Sequence, residues 1–392
     1  MYISKWGGII KCLRCSNSDA RLFYTDELGT YCRKCIMFGR VNIDEVVNKI
    51  VKLSVNDKAA SIKLDYPLTD KQVVATNQLM EYLKLKNNVL VFAACGAGKT
   101  EIVMEPIKYY LNQHKKVCFA ISRRQVVLEI RERLAKAFTN MKVICVCEGH
   151  TRVIDGDIIV CTMHQLHRYP NCFDLLIMDE VDAFPYKNND VLHAIAHHSS
   201  LGQVIYLSAT PDLIMLKEVK ENKLKVVELF QRPHKHPLVE PTIRQGILLY
   251  RYYMLYRFLK EHHLKQIQVL IYVPTRAMAH KLANRLNIIY RVKAITSTTS
   301  DKDLIIKEFH EYKYEALVCT TILERGITIK GVDIVILDAD HLVFDCASLI
   351  QIIGRVGRSI DKPSGEGLFI IKRRTGEVKA CISTIKRMNL NA

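Results

Sequence analysis

At 392 residues the chain is long for a single core and suits two domains of ordinary size plus a small module. Half of the residues are hydrophobic, so burial is no difficulty, and the net charge of +17 favours a polyanionic partner, either nucleic acid or an acidic membrane surface. No apolar run approaches the roughly 18 residues that span a bilayer, and Met1 to Ile10 lacks the apolar core of a signal peptide, which excludes membrane-embedded and exported classes and predicts a cytosolic protein.

Thirteen cysteines are present, and nine are scattered, many in apolar runs as at Cys118, Cys145, Cys161 and Cys319, where reduced thiols pack as small hydrophobes. The other four form a pattern: Cys12-Leu-Arg-Cys15, sixteen residues, then Cys32-Arg-Lys-Cys35. Two such knuckles can bring four thiolates to the corners of a tetrahedron, the geometry of a structural Zn²⁺ site. The alternative is a pair of redox-active or buried Cys-x-x-Cys turns, but a segment this small has little apolar core without a metal. Basic and aromatic residues around the knuckles (Lys11, Arg14, Arg21, Tyr24, Tyr31, Arg33, Lys34) suit a nucleic-acid surface or the solvated face of a metal ribbon equally.

Residues 38 to 62 are mixed in character, with a helix expected near Val41 to Leu53 and then a linker. Leu68-Thr-Asp-Lys-Gln72 opens an amphipathic helix to about Leu85, and Gln72 can either read an adenine edge or serve as a polar helix-start residue. An apolar strand from Val89 then meets Ala94-Cys95-Gly96-Ala97-Gly98-Lys99-Thr100. Glycines at 96 and 98 let successive N–H groups turn toward a triphosphate, Lys99 reaches its outer phosphates, and the Thr100 hydroxyl can hold Mg²⁺. Ala93 replaces the first glycine of the usual phosphate-loop pattern, which predicts a variant loop with its turn intact.

After the loop, apolar runs and amphipathic helices alternate: helix 99–112, strand Val117 to Ser122, helix Gln125 to Phe138, strands Val143 to Cys147, Asp157 to Thr162 and Leu175 to Asp179, helix 190–198, and strand Val204 to Ser208. Such alternation predicts a parallel sheet covered by helices, with ligands at the carboxyl ends of the strands. Asp179-Glu180-Val181-Asp182 lies at one such end, where Asp179 can hold Mg²⁺ and Glu180 can orient an attacking water. Ser208-Ala-Thr210 and Arg123-Arg124 end two others, the arginines suited to backbone phosphates. From Lys223 to Arg244 the pattern weakens, with prolines at 233, 237 and 241, and reads as an interdomain linker. Alternation resumes with helix 250–263, strand Val269 to Val273, helix 276–286, strand Val292 to Ile295, helix 301–312, strands Ala316 to Thr320 and Ile334 to Leu337, helix 347–353 and strand Gly367 to Ile371. This half has no phosphate loop. It carries Thr320 to Gly326 and Gln351-Ile-Ile-Gly354-Arg355-Val-Gly357-Arg358, whose two arginines three apart can face an anion or simply form a basic helix end.

The ordered set Gln72, Ala93 to Thr100, Asp179 to Asp182, Ser208 to Thr210, Thr320 to Gly326 and Gln351 to Arg358 resembles superfamily 2 helicases and translocases, most closely the ComFA competence ATPases. The narrower likeness rests on Ala94 to Glu101, on Asp179-Glu180-Val181-Asp182-Ala183-Phe184-Pro185-Tyr186, and on the four-cysteine module ahead of the motor. It implies an α/β fold: a zinc module with linker over 1–60, then two RecA-like parallel-sheet domains over 61–230 and 231–392 closing on ATP. Gln72, residues 94–100 and Gly326 would then hold the nucleotide, with Lys99, Asp179, Glu180, Arg355 and Arg358 catalytic and Thr100 and Asp179 on Mg²⁺. The resemblance also implies uptake of single-stranded DNA at the inner face of the membrane, with ComFC, DprA and the ComEC channel as partners and homo-oligomers open. The first knuckle starts eleven residues in, so any N-terminal extension seen in relatives is expected to be absent. Two rivals stand beside this reading: a replication-restart or repair helicase of the same superfamily, and a nucleic-acid-binding regulator with a vestigial ATP site.

Overall fold

The computed structural model describes residues 11–42, 54, 56–321, 329 and 331–392. These fall into two compact units: residues up to 92 with 99–228, and 93–98 with 229–392. The helix expected near Val41 to Leu53 lies, from residue 43 on, outside the described residues.

The first unit opens with an antiparallel hairpin, β1 (Phe23–Asp26) and β2 (Gly29–Cys32), whose last residue is one of the four patterned cysteines. Helix α1 (Asp70–Lys84) follows a capping box, in which Thr69 accepts from the Gln72 N–H and Gln72 accepts from the Thr69 N–H. Then come β3 (Val89–Ala93), α2 (Lys99–Ile102), α3 (Met104–Leu111), β4 (Val117–Ile121), α4 (Arg124–Ala137), β5 (Val143–Val146), β6 (Ile158–Thr162), β7 (Phe173–Asp179), α5 (Asp190–Ser199), β8 (Ser200–Ser208), α6 (Leu213–Lys220) and β9 (Lys225–Leu229). The sheet runs β5-β6-β4-β7-β8-β3-β9. Its inner strands β3 and β4 are buried at every position, as a sheet covered on both faces requires.

The second unit is built the same way: β10 (Thr242–Gln245), α7 (Leu248–Leu264), β11 (Val269–Tyr272), α8 (Arg276–Leu286), β12 (Val292–Ile295), α9 (Lys302–His310), β13 (Ala316–Cys319), β14 (Asp333–Leu337), α10 (Cys346–Ile353), β15 (Gly367–Ile371) and α11 (Gly376–Leu390). Its order is β10-β15-β14-β11-β13-β12, parallel at every pairing. Both units are RecA-like parallel sheets.

Two expectations are corrected, and two helices are added to them. The helix expected over 99–112 is two helices broken at Val103, because Pro106 has no N–H to give the Ile102 carbonyl. The stretch from Lys223 to Arg244 is not all linker. Strand β9 joins the edge of the first sheet and β10 the edge of the second, and both are short, half-exposed strands that carry little apolar signal. Helices α6 and α11 were not foreseen, although each has a readable start: Asp212 accepts from the Met215 N–H and Thr375 from the Val378 N–H.

Inside the second unit His262, on α7, meets Asp333, at the start of β14, with Nε2 and Oδ2 at 2.9 Å and both residues buried. Among the described residues, removing His262 leaves the buried Asp333 carboxylate with only Lys362 Nζ, 3.7 Å from its other oxygen, to face it. His262→Ala should therefore lower stability by about 3 kcal/mol, read as a shift of the urea midpoint; an unchanged midpoint would show that the pair is not coupled to the fold.

Candidate nucleotide site and four-cysteine module

The phosphate-loop residues follow β3 directly, with Ala93 and Ala94 buried and Cys95 half-buried. Gly96 and Gly98 adopt φ of +81° and +92°, a backbone region that a side chain would strain. The Ala97 N–H closes the turn on the Ala94 carbonyl at 3.2 Å. Lys99 then opens α2, half-buried, and Thr100 beside it is buried.

Strand β7 brings Asp179 to the same unit at its carboxyl end. The residue is only 9% exposed, and burial lifts its pKa to about 6 although the Lys99 charge pulls it down; Glu180 and Asp182 add to the rise. The Glu180 N–H donates to Asp179 Oδ1 at 2.9 Å, and Glu180 itself sits at φ +55°. Its Oε2 accepts from the Ser122 hydroxyl at the end of β4, 3.3 Å away. Asp182 accepts at 2.8 Å from the Ser208 hydroxyl on one oxygen and at 2.8 Å from the Thr210 hydroxyl on the other. The residues after β7 and β8 are thus tied side chain to side chain. Sequence reasoning noted Ser208 and Thr210 without assigning them this role, yet hydroxyls and a carboxylate at the ends of neighbouring strands were the available signal.

Gln72 behaves as the helix-start residue: its Oε1 accepts from the Thr69 N–H at 2.9 Å, so an adenine contact would fall to Nε2. Arg123 is the N-cap position of α4, and Arg124 gives its Nε to the Glu148 carbonyl at 2.9 Å. Thr100 and Asp179 offer a hydroxyl and a carboxylate, hard oxygen donors that fit Mg²⁺, which would neutralise phosphate charge there.

In the second unit α10 stops at Ile353 with Gly354 as its cap, and Gly357 takes φ +63°. Arg355 and Arg358 therefore flank a turn instead of sharing a helix face: Arg355 is buried and Arg358 exposed. A Cβ placed on Gly96, which belongs to this unit, would stand 3.4 Å from Arg358 Cγ. Gly326 lies outside the described residues.

The four patterned cysteines come together. Their sulfurs all lie within 4.8 Å of one another, and the residues are 1–3% exposed. The Cys12 and Cys35 sulfurs are 3.7 Å apart, as are those of Cys15 and Cys32. Four soft donors in so tight a group fit a tetrahedral Zn²⁺. The module packs on its own unit: the Phe38 ring lies 5.2 Å from that of His167, Ser16 Oγ is 2.9 Å from His198 Nε2, and Lys34 reaches toward Asp190 at the start of α5 at 3.9 Å.

Three family descriptions match the chain: "Competence protein ComFA N-terminal domain" over residues 2–47, "Type III restriction enzyme, res subunit" over 65–213, and "Helicase conserved C-terminal domain" over 251–359. The chain is 31% identical to the competence protein ComFA of Bacillus subtilis, covering 97% of this chain and 85% of the relative. It is likewise 31% identical to ComFA of Streptococcus pneumoniae, with 98% and 91% covered. Among solved structures, the DEAD-box helicase Mss116 bound to single-stranded RNA and UDP-BeF superposes with a TM-score of 0.61 at 17% identity, covering 79% of this chain and 71% of that one.

The buried Asp179 charge makes a prediction. A native pKa near 6 against an ordinary 3.8 means that the carboxylate destabilises the nucleotide-free fold above pH 6 by up to about 3 kcal/mol, a cost that roughly halves by about pH 5 as the group protonates. Asp179→Asn removes the charge and keeps the shape. Without nucleotide or Mg²⁺ it should melt several degrees above the parent at about pH 7.5, with a smaller gap at about pH 5; an equal or lower melting point at the higher pH refutes the burial account.

Proposed function

The chain belongs to the ComFA family of competence proteins, and on that premise we propose that it is an ATP-dependent translocase on single-stranded DNA that drives DNA import during natural transformation. It is a helicase-type ATP-hydrolysing enzyme of superfamily 2, a class that uses ATP and Mg²⁺. The observation that carries the reading is the Asp179 carboxylate buried at the end of β7 under the influence of Lys99, the first helical residue of the phosphate loop.

In this mechanism the N–H groups of residues 94–98 cradle the phosphates and Lys99 takes their outer oxygens. Thr100 and Asp179 would hold Mg²⁺. Glu180, oriented through Ser122, positions the attacking water, and Arg355 and Arg358 stabilise charge on the phosphoryl group in transfer. Gln72 Nε2 and Gly326 complete the nucleotide contacts. Closure and reopening of the two domains would convert turnover into movement along the strand. Zn²⁺ on Cys12, Cys15, Cys32 and Cys35 would hold the module together, and the net charge of +17 supplies the attraction for DNA, with Arg123 and Arg124 as candidate phosphate contacts. The family membership supports work at the inner face of the cell membrane beside ComFC, DprA and ComEC. Among the described residues no helix is long and apolar enough to cross a membrane.

Turnover measured side by side with single-stranded DNA, duplex DNA and RNA tests the substrate: single-stranded DNA should stimulate most, and a preference for RNA or duplex would overturn the import role. Lys99→Ala should cut turnover by about 10³ or more while single-strand affinity stays within a few-fold, because Lys99 faces phosphate and not the nucleic acid. Metal analysis should find one Zn²⁺ per chain, lost in Cys32→Ser; metal-free protein purified without chelator would sink the zinc assignment.

A further inference from the structure

Arg232 is 1% exposed and is the largest fully buried side chain among the described residues. It follows β9, in a stretch whose prolines and basic residues read in the sequence as connection only. Its guanidinium nevertheless makes four hydrogen bonds, each to a backbone carbonyl of the second unit. Nη2 donates to Gly354 at 2.6 Å, Nη1 to Val356 and to Gly357 at 2.9 Å each, and Nε to Cys95 at 3.0 Å. Desolvation pulls its pKa down to about 10, with the Arg358 charge pushing the same way. Among the described residues its partners are carbonyls alone. A buried guanidinium without a carboxylate is an expensive way to stabilise a fold. What it supplies is a rigid planar fork of donors that no other side chain offers.

Three of the four carbonyls belong to one turn. Residues 354–357 leave the end of α10, contain Arg355 and run straight into Arg358. Gly357 holds φ +63° there, and a Cβ on it would collide with the Pro363 carbonyl, so the turn has one tight conformation. The fourth carbonyl, Cys95, is the residue before Gly96 in the phosphate loop.

We propose that Arg232 is a positioning residue for ATP turnover: it clamps the turn that carries Arg355 and Arg358 and fixes it to the loop residue Cys95. The inference rests on the reading of Arg358 as a group that acts on the nucleotide. Lysine at 232 would keep the charge but present a single nitrogen, which cannot span three turn carbonyls and Cys95 together. Misplacing a catalytic group by about 1 Å can cost about 100-fold in rate.

The test uses the full chain with saturating single-stranded DNA and compares Arg232→Lys, Arg358→Ala and the double variant. Arg232→Lys is expected to lower kcat by about 100-fold, with nucleotide affinity within about threefold and a cooperative melt retained. The double variant should be slower than Arg358→Ala by far less than the loss seen in Arg232→Lys alone, because Arg232 acts through Arg358 and only the displacement of Arg355 is left to cost rate. Multiplying rate losses in the double variant, a parental kcat in Arg232→Lys, or loss of kcat in step with loss of folded protein would each overturn the positioning role. Should Arg232→Lys not fold, Arg232→Met carries the same comparison, and failure of both to fold assigns Arg232 to the fold alone. Parental turnover in Arg358→Ala would remove the premise itself, an outcome distinct from slow Arg358→Ala beside normal Arg232→Lys, which rejects only the clamp.

Discussion

A carboxylate in a low-dielectric interior keeps its charge only where a cation faces it, and the first unit is arranged around that constraint at Asp179. Burial raises the pKa of this group, and Lys99 is the largest opposing influence. The two residues come from β7 and from the helix after β3, strands separated in the sheet by β8. Parallel pairing puts their carboxyl ends on one edge, so the position of the charge follows from topology and its tolerance follows from the lysine. A cation bound beside the carboxylate would relieve that destabilisation, because a ligand that binds only the folded state stabilises it.

The hydroxyls around the neighbouring acid serve a different purpose. Asp182 accepts from Ser208 on one oxygen and from Thr210 on the other, and a hydrogen-bonded buried polar cluster of this kind specifies one arrangement of the two strand ends. Glu180, one residue from Asp179 and two from Asp182, is carried on a backbone with positive φ, and its side chain meets Ser122 just beyond the end of a third strand, β4. Geometry at the end of β7 is thus set by three strands at once.

Much of this was legible beforehand. Strands such as β3 and β4 announce themselves because they are apolar at every position, and the glycines at 96 and 98 mark a turn that only they adopt without strain. Short edge strands such as β9 and β10 have neither signal, and the prolines between them masked both. The helix-start reading of Gln72 was one of two left open by the sequence, and its amide oxygen does cap its own helix. The separate environments of Arg355 and Arg358 could not be read from their spacing. They depend on Gly354 and Gly357 and on Arg232, which grips the turn from 122 residues earlier in the chain.

Among the described residues, the cysteine module touches the first unit at the turn before β7 and at the helix after it. His167 belongs to the short turn Met163–Arg168 that leads toward that strand; Asp190 and His198 begin and end α5, which follows it. An aromatic contact, a hydrogen bond and an ion pair therefore join the module to both sides of the strand that ends in Asp179. In mechanical terms, a load placed on the cysteine hairpin would pass through these three contacts into the elements that precede and follow the strand ending in Asp179.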